Sequence, residues 1–310
     1  MESIHHIKSR IKTVKNVGQI TKAMELVAAT KMRKAQEIAL RSRPYAYGAL
    51  ELLHNITTQE HIESVFARER ELKTTLVVIV ASDKGLTGAF NTQVLKSADA
   101  FFAYDMSIER KPHAYKILPI GKKALQYALK NKFDVPAHHA GAGDYTTPDE
   151  CAHITSQITK GFLAGSWDRV IVISTHFRTT LRQDVLVRQL LPASMDEIKK
   201  TIEEIIPEHG RHSASIRHPQ AEAASTIEYI LEPSARALID SLMPHLISMQ
   251  LYHIILEANA SEHSSRRVAM KTASDNADEL SGDLTLIYNK ARQANITTEL
   301  IEITSTQQAL

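Results

Sequence analysis

The chain has a single cysteine, Cys151, among its 310 residues, so no disulfide can form within it and a reducing compartment is the simplest setting. Aromatic residues are scarce, at 5%, which suits the seams between packed helices better than a thick core. No apolar run approaches a membrane span. The longest near a strand is Leu76 to Ala81. The N-terminus lacks the apolar stretch of a secretory signal. It is amphipathic and basic, as transit peptides are, yet carries Glu2, Glu25 and Glu37 with few serines, and is read as mature structure. Any membrane association is therefore expected to run through other proteins.

Turn chemistry is also missing, but only from the two ends. Ile4 to about Leu53, and Ser234 to about Ile303, read as two very long helices. At 1.5 Å rise per residue they would reach about 75 and about 100 Å. Solitary helices of that length are marginal in water, so they must pack on each other, on a partner, or on both. In the first, apolar residues fall at Ile4, Ile7, Ile11, Val14, Val17, Ile20, Met24 and Val27, a seam with one slip between Val14 and Ile20. Ala28, Ala29 and Ala35 then allow close approach, and Pro44 is expected to kink or end the run. In the last, the seam reads Ala273, Ala277, Leu280, Leu284, Ile287, Ala291, Ala294 and Ile301, with Thr298 in the remaining slot. Pro244 and Gly282 should bend or soften it. Antiparallel pairing of the two ends is the economical solution, and Ile287→Asp is then expected to bury a charge between them.

The middle reads as a Rossmann-like α/β domain with a mostly parallel sheet. Strands are predicted at Thr74–Ser82, Tyr115–Ile120, Arg169–Thr175 and Asp184–Leu191, alternating with helices near Asn91–Tyr104, after Gly121 to Lys130, and Pro148 to about Leu163. The expected layout is an N-terminal helix over residues 1–58, the α/β domain over 73–205, a flexible connection over 206–227 and the C-terminal helix over 228–310. Ile206 to Ser225, with Pro207, Gly210 and Pro219, is the expected mobile loop.

Little in the chain promises catalysis. Ser82-Asp83-Lys84-Gly85-Leu86-Thr87-Gly88 follows a strand and precedes a helix, where phosphate loops lie, but matches neither glycine-rich signature. It reads as a tight turn needing positive φ, and no nucleotide site is expected there. The paired histidines His5-His6 and His138-His139, and His209, His212 and His218 in one loop, lack acidic partners at ligand spacing, so no metal or other cofactor is expected. Charge is more telling. The net charge of +2 hides ten basic residues against three acidic ones over Met1 to Arg43. Such a face suits an acidic protein surface, a nucleic acid or an anionic membrane. A basic coiled-coil nucleic-acid-binding protein with an α/β head is the competing class, although interleaved aromatics and a helix-turn-helix are lacking.

Longer motifs decide between these. Ile20-Thr21-Lys22-Ala23-Met24-Glu25-Leu26-Val27-Ala28-Ala29 with Lys31-Met32-Arg33-Lys34-Ala35, and Ser42-Arg43-Pro44-Tyr45, resemble the N-terminal signature of the F-type ATP synthase gamma subunit family. Ser82 to Asn91 looks like that family's first strand-to-helix turn. Arg267-Val268-Ala269-Met270-Lys271 with Ala273 to Asn276, and Tyr288 to Thr297, are similar to its C-terminal signature. The resemblance is collinear over the whole chain. It implies a non-catalytic central rotor stalk of a proton-translocating F-type ATP synthase, its terminal helices an antiparallel coiled coil inside a hexamer of alpha and beta subunits. It implies the α/β domain on the membrane ring beside the epsilon subunit, and a peripheral place on the cytoplasmic face of a bacterial plasma membrane. Catalytic sites would lie on the beta subunits. Carried over by position, Met24 would lie near the hexamer's lower collar, Arg292, Gln293 and Thr297 would meet a catch loop of the hexamer, and Lys22 and Glu299 would also contact the hexamer. Thr304 to Gln307 departs from the family's small-residue ending, and with Cys151 alone the dithiol switch of chloroplast relatives has no basis.

Overall fold

The computed structural model describes residues 4–60, 64–108, 113–141, 146–194, 232 and 234–308. The expected flexible connection over 206–227, with its three histidines, lies outside the described residues. Helix α1 spans Ile4–Glu60, followed by strand β1 (Thr74–Val80), α2 (Phe90–Ile108), β2 (Ala114–Ile120), α3 (Lys122–Lys130), α4 (Pro148–Leu163), β3 (Arg169–Phe177), β4 (Gln183–Leu191) and α5 (Ala235–Gln308). The chain divides into two compact units, Met1–Ala29 with Arg266–Leu310, and Thr30–Ser265.

The second unit holds one sheet with strand order β2-β1-β3-β4. β1 pairs parallel with both β2 and β3, and β4 closes the edge antiparallel to β3. β1 is central because its sequence, TTLVVIV, is apolar at every position after the first two threonines and can be covered on both faces. Leu76, Val78, Val80, Val170 and Val172 share one core with Ile154, Ile158 and Phe162 of α4 and with Ile247, Leu251 and Ile254 of α5. The alternate residues Val77, Ile79, Ile171 and Ile173 share the other with Val94, Ala98 and Phe102 of α2 and Ala124 and Ala128 of α3. α4 begins with a full capping box, in which Thr147 Oγ1 accepts from the Glu150 amide and Glu150 accepts from the Thr147 amide, with Pro148 in the first turn.

Neither proline ends its helix. α1 continues past Pro44 to Glu60, and α5 continues through Pro244. A proline removes one hydrogen bond and costs about 3 kcal/mol. Beside Pro244, buried Met243, Leu246 and Ile247 hold the helix on the sheet. Each such side chain is worth about 1.5–3 kcal/mol, so packing wins. Pro44 likewise sits in an uninterrupted helical pattern.

Two glycines are fixed by contact. Gly121 has φ +96°, and a Cβ there would lie 1.9 Å from the Ala81 carbonyl oxygen. Gly161 in α4 lies under the indole of Trp167, where a Cβ would come within 2.0 Å of a ring carbon. That ring is held by its own Nε1–H, which donates to the Ile158 carbonyl at 3.0 Å. Gly161→Ala gains up to about 1 kcal/mol of helix propensity but overpacks the corner by about 1–3 kcal/mol. The expected outcome is a net loss of stability. Denaturant unfolding followed by fluorescence of Trp167, the chain's one tryptophan, should show a lower midpoint.

Candidate partner-binding surface

In the first unit, burial along α1 recurs at Ile4, Ile7, Ile11, Val14, Gly18, Thr21, Glu25 and Ala28, in unbroken steps of three and four. Along α5 the matching set is Met270, Ser274, Ala277, Ser281, Leu284, Tyr288 and Ala291. Two of these sets meet at Gly18, where an added Cβ would stand 3.4 Å from Ala277 Cβ. Ser274 Oγ donates to the Gly18 carbonyl at 3.5 Å. Further along α1, Glu25 feels Arg267 and Lys271, while Lys22 feels Asp275 and Asp278. Numbers rise on α1 as they fall on α5, so the helices run antiparallel.

This geometry corrects the expected seam. There is no slip in α1, because the contact runs through Gly18, Thr21, Glu25 and Ala28. The larger residues one position earlier, Val17, Ile20, Met24 and Val27, form a second stripe rotated by about 100°. Val17 is 46%, Ile20 60% and Val27 54% exposed, and Met24 is half-buried. In α5, Ala277, Leu284 and Ala291 face the partner helix as expected, but Leu280, Ile287 and Ile301 face out. Ile287 is 53% exposed, so Ile287→Asp buries no charge between the helices. The physical reason is size. Glycine, alanine and serine let two backbones approach closely, and that contact outcompetes the more apolar register.

In this register Ile4 stands level with the turn from Tyr288 to Ala291. Every residue from Arg292 to Ile301 is exposed, including Ile296 and Leu300. The expected contact residues therefore fall into two groups. Lys22 and Met24 lie side by side on α1. Arg292, Gln293, Thr297 and Glu299 lie on the exposed end of α5, about 30 Å further along at 1.5 Å per residue. Thr297 Oγ1 bonds back to the Gln293 carbonyl at 2.9 Å, which fixes its side chain along the helix.

Sequence reasoning passed over Glu25, the one acid within the α1 seam. Lys22 Nζ donates to Glu25 Oε2 at 2.9 Å. That hydrogen bond, helped by Lys271 and Arg267 and opposed by burial, holds the carboxyl below its ordinary range. The same bond raises the Lys22 ammonium. A signal was present, since an acid at a three-four position in a basic helix needs a local cation.

In the second unit, the loop after β1 is held by its own side chains. The Ser82 amide donates to Asn91 Oδ1 at 3.0 Å, and Asn91 Nδ2 to Thr87 Oγ1 at 3.0 Å. Asp83 accepts from the amides of Lys122 and Gly141. Positive φ falls on Leu86 and Gly88. Open α/β sheets bind ligands beyond the carboxyl ends of strands flanking the point where strand order reverses, here β1 and β3. α5 lies there instead. Ser265 Oγ donates to the Thr87 carbonyl at 2.7 Å and Ser264 Oγ to the Thr180 carbonyl at 2.9 Å. Among the described residues no three His, Cys, Asp or Glu side chains are grouped to hold a metal, and no helix is long and apolar enough to cross a membrane. Cys151 is buried, and burial pushes its thiol up to about 12.

A family model described as ATP synthase matches residues 3–310. An ATP synthase gamma chain of Geobacter sp. (strain M21) is 39% identical over 313 residues, covering 100% of this chain and 99% of the relative. The chain belongs to the ATP synthase gamma chain family. One from Opitutus terrae is 39% identical over 308 residues, covering 99% of this chain and 98% of the relative. Among solved structures, a chain of the Euglena gracilis mitochondrial ATP synthase (OSCP/F1/c-ring, rotational state 3) superposes with TM-score 0.60 at 17% identity, covering 99% of this chain and 94% of that one. A chain from the Tetrahymena thermophila mitochondrial ATP synthase central stalk/c-ring gives 0.55 at 21%, covering 82% and 99%. These structural likenesses establish the fold. Two of the gamma-family segments quoted from the sequence, Ile20–Ala29 and Arg267–Lys271, supply the Glu25 ion cluster.

A group whose folded pKa is depressed adds stability above its ordinary range, and that stability is lost as pH falls through the depressed value. Melting of the isolated chain should therefore lose a contribution on acidification that Glu25→Gln lacks. Circular dichroism melts of both proteins at neutral pH and at about pH 3, below the carboxylate range, check this. Parallel acid losses in the two would contradict it.

Proposed function

We propose that this chain is the central rotor stalk of an F-type ATP synthase, coupling rotation of a membrane ring to ATP synthesis or hydrolysis at an alpha/beta hexamer. It is a non-catalytic subunit in this reading, with the catalytic sites on the beta subunits. Full-length membership in the gamma chain family carries the proposal, and the surface of the helix pair supports it. Val17, Ile20 and Val27, in the stripe that also holds half-buried Met24, and the apolar residues at the end of α5 are large side chains left exposed after the chain has made its own contacts. Contiguous exposed apolar surface of this kind marks a partner site.

The chemistry of that partner follows from the charges beside the stripe. Exposed Lys8, Lys12, Lys15 and Lys22 on α1 favour an acidic surface, and mobile ammonium groups form no rigid bidentate lock. An apolar stripe on one side of a two-helix rod makes its contacts unequal around the axis. A surrounding ring of subunits then meets a different face at each position, and each conformation is favoured in turn by differential contact. Met24 is assigned to the lower collar of the hexamer, Arg292, Gln293 and Thr297 to a catch loop, and Lys22 and Glu299 to further contacts with the hexamer. The α/β domain over 73–205 is assigned to the epsilon subunit and the membrane ring, with helices over 1–58 and 228–310 and a connection over 206–227. In this reading the chain is peripheral, at the cytoplasmic face of a bacterial plasma membrane, and held there by the complex.

Reconstitution tests the proposal. Alpha and beta subunits assembled with this chain should show rotary ATPase turnover that is absent without it, and equal turnover in both would refute the stalk role. The stripe has its own test. Ile20→Asp with Val27→Asp should leave the melt of the isolated chain close to wild type, because both positions are exposed, yet weaken assembly with the hexamer. Size-exclusion chromatography of the mixture reads that loss.

A further inference from the structure

Within the second unit, α5 is enclosed in an unusual way. Every residue from Leu251 to Ser264 is buried, on all sides of the helix. Much of that segment is apolar and packs with the sheet and α4, and Ala39 of α1 joins the same core. Such contacts are non-directional, and their interdigitated packing resists separation and rotation alike. Hydrogen bonds are angular and resist that rotation.

Glu257, Ser264 and Ser265 of α5 make such bonds, each to a different segment of the α/β domain. Glu257 Oε2 accepts from His176 Nδ1 of β3 at 3.1 Å and from Arg188 Nη1 of β4 at 3.4 Å. Ser264 Oγ donates to the Thr180 carbonyl in the β3–β4 turn, and Ser265 Oγ to the Thr87 carbonyl after β1. Glu257 and Ser264 are seven residues apart and project within about 20° of one another, while Ser265 is about 100° further round. The bonds thus grip the helix from two directions. We infer that Glu257, Ser264 and Ser265 form an angular clamp that fixes α5 about its axis in the α/β domain, so that torque applied to this domain passes into the helix without slip. They act as positioning residues. The inference rests on the stalk role, and it assigns the step at which turning force enters α5, which continues as one helix to Gln308.

Removing the two hydroxyls tests the clamp. The assembled complex is fixed through its hexamer, and a rod is attached at Lys130→Cys, an exposed position on α3. Buried Cys151 does not compete for the label in a complex whose other subunits lack accessible thiols. The width of the rod's angular fluctuations between ATP-driven steps reports torsional stiffness. Ser264→Ala/Ser265→Ala should broaden that width, and Ser265→Thr, which keeps a hydroxyl, should not. Gly161→Ala, which disturbs the corner of α4 under Trp167 and leaves the hydrogen bonds of Glu257, Ser264 and Ser265 in place, is the control and should retain the wild-type width. An unchanged width in the double alanine variant, or equal broadening in Gly161→Ala, would overturn the clamp. Rotation of the wild-type complex is the separate check on the stalk role.

Discussion

The close approach of α1 and α5 at Gly18 and Ala277 is the contact on which the rest of the first unit depends. At that point there is no side chain on one helix and a single methyl on the other. The two backbones can come near enough for Ser274 to bond the Gly18 carbonyl. Dispersion between tightly packed small groups replaces the large buried areas of an ordinary helix pair. The outcome is an inversion of the usual arrangement. The small residues are inside, and Val17, Ile20 and Val27 are left outside.

That inversion gives the polar members of the seam their importance. A contact made of glycine, alanine and serine is weakly selective for register, because several alignments bring small residues together. Thr21 bonds its own helix through the Val17 and Gly18 carbonyls, so its polarity is absorbed locally. Glu25 is different. It is buried, acidic and surrounded by Lys22, Lys271 and Arg267, cations contributed from both helices. A single ionic position inside an apolar seam is the best-attested device for fixing register in coiled coils.

Much of the fold was legible in the sequence because its signals were local. Short apolar runs placed all four strands, and Gly121 and Pro148 marked two of the helix starts. The two terminal helices were visible from their lack of turn chemistry, although Pro44 was overweighted as a terminator. The seam was harder. Periodicity ranks positions by hydrophobicity, and α1 carries two interleaved stripes of equal spacing, one large and one small. Only the distance between backbones decides which of them is inside. Glu25 was missed because an acid scores against burial, although Lys22, three residues earlier on the same helix, offered it a local cation. Ser264 and Ser265 gave no sequence signal, because their partners are backbone carbonyls more than eighty residues away. The expected contact residues Lys22, Met24, Arg292, Gln293, Thr297 and Glu299 were named from resemblance, and the structure places all but half-buried Met24 on exposed surface.

The outward-facing end of α5 has a thermodynamic corollary. From Arg292 onward this helix has backbone hydrogen bonds but no burial among the described residues to offset its chain entropy. In the proposed stalk role the surrounding subunits supply that burial, and docking then also orders these turns. Such an event removes apolar surface from water, and its calorimetric mark is a negative change in heat capacity on association. Fit at this end is accordingly a matter of complementarity in the receptor as much as of rigidity in the helix.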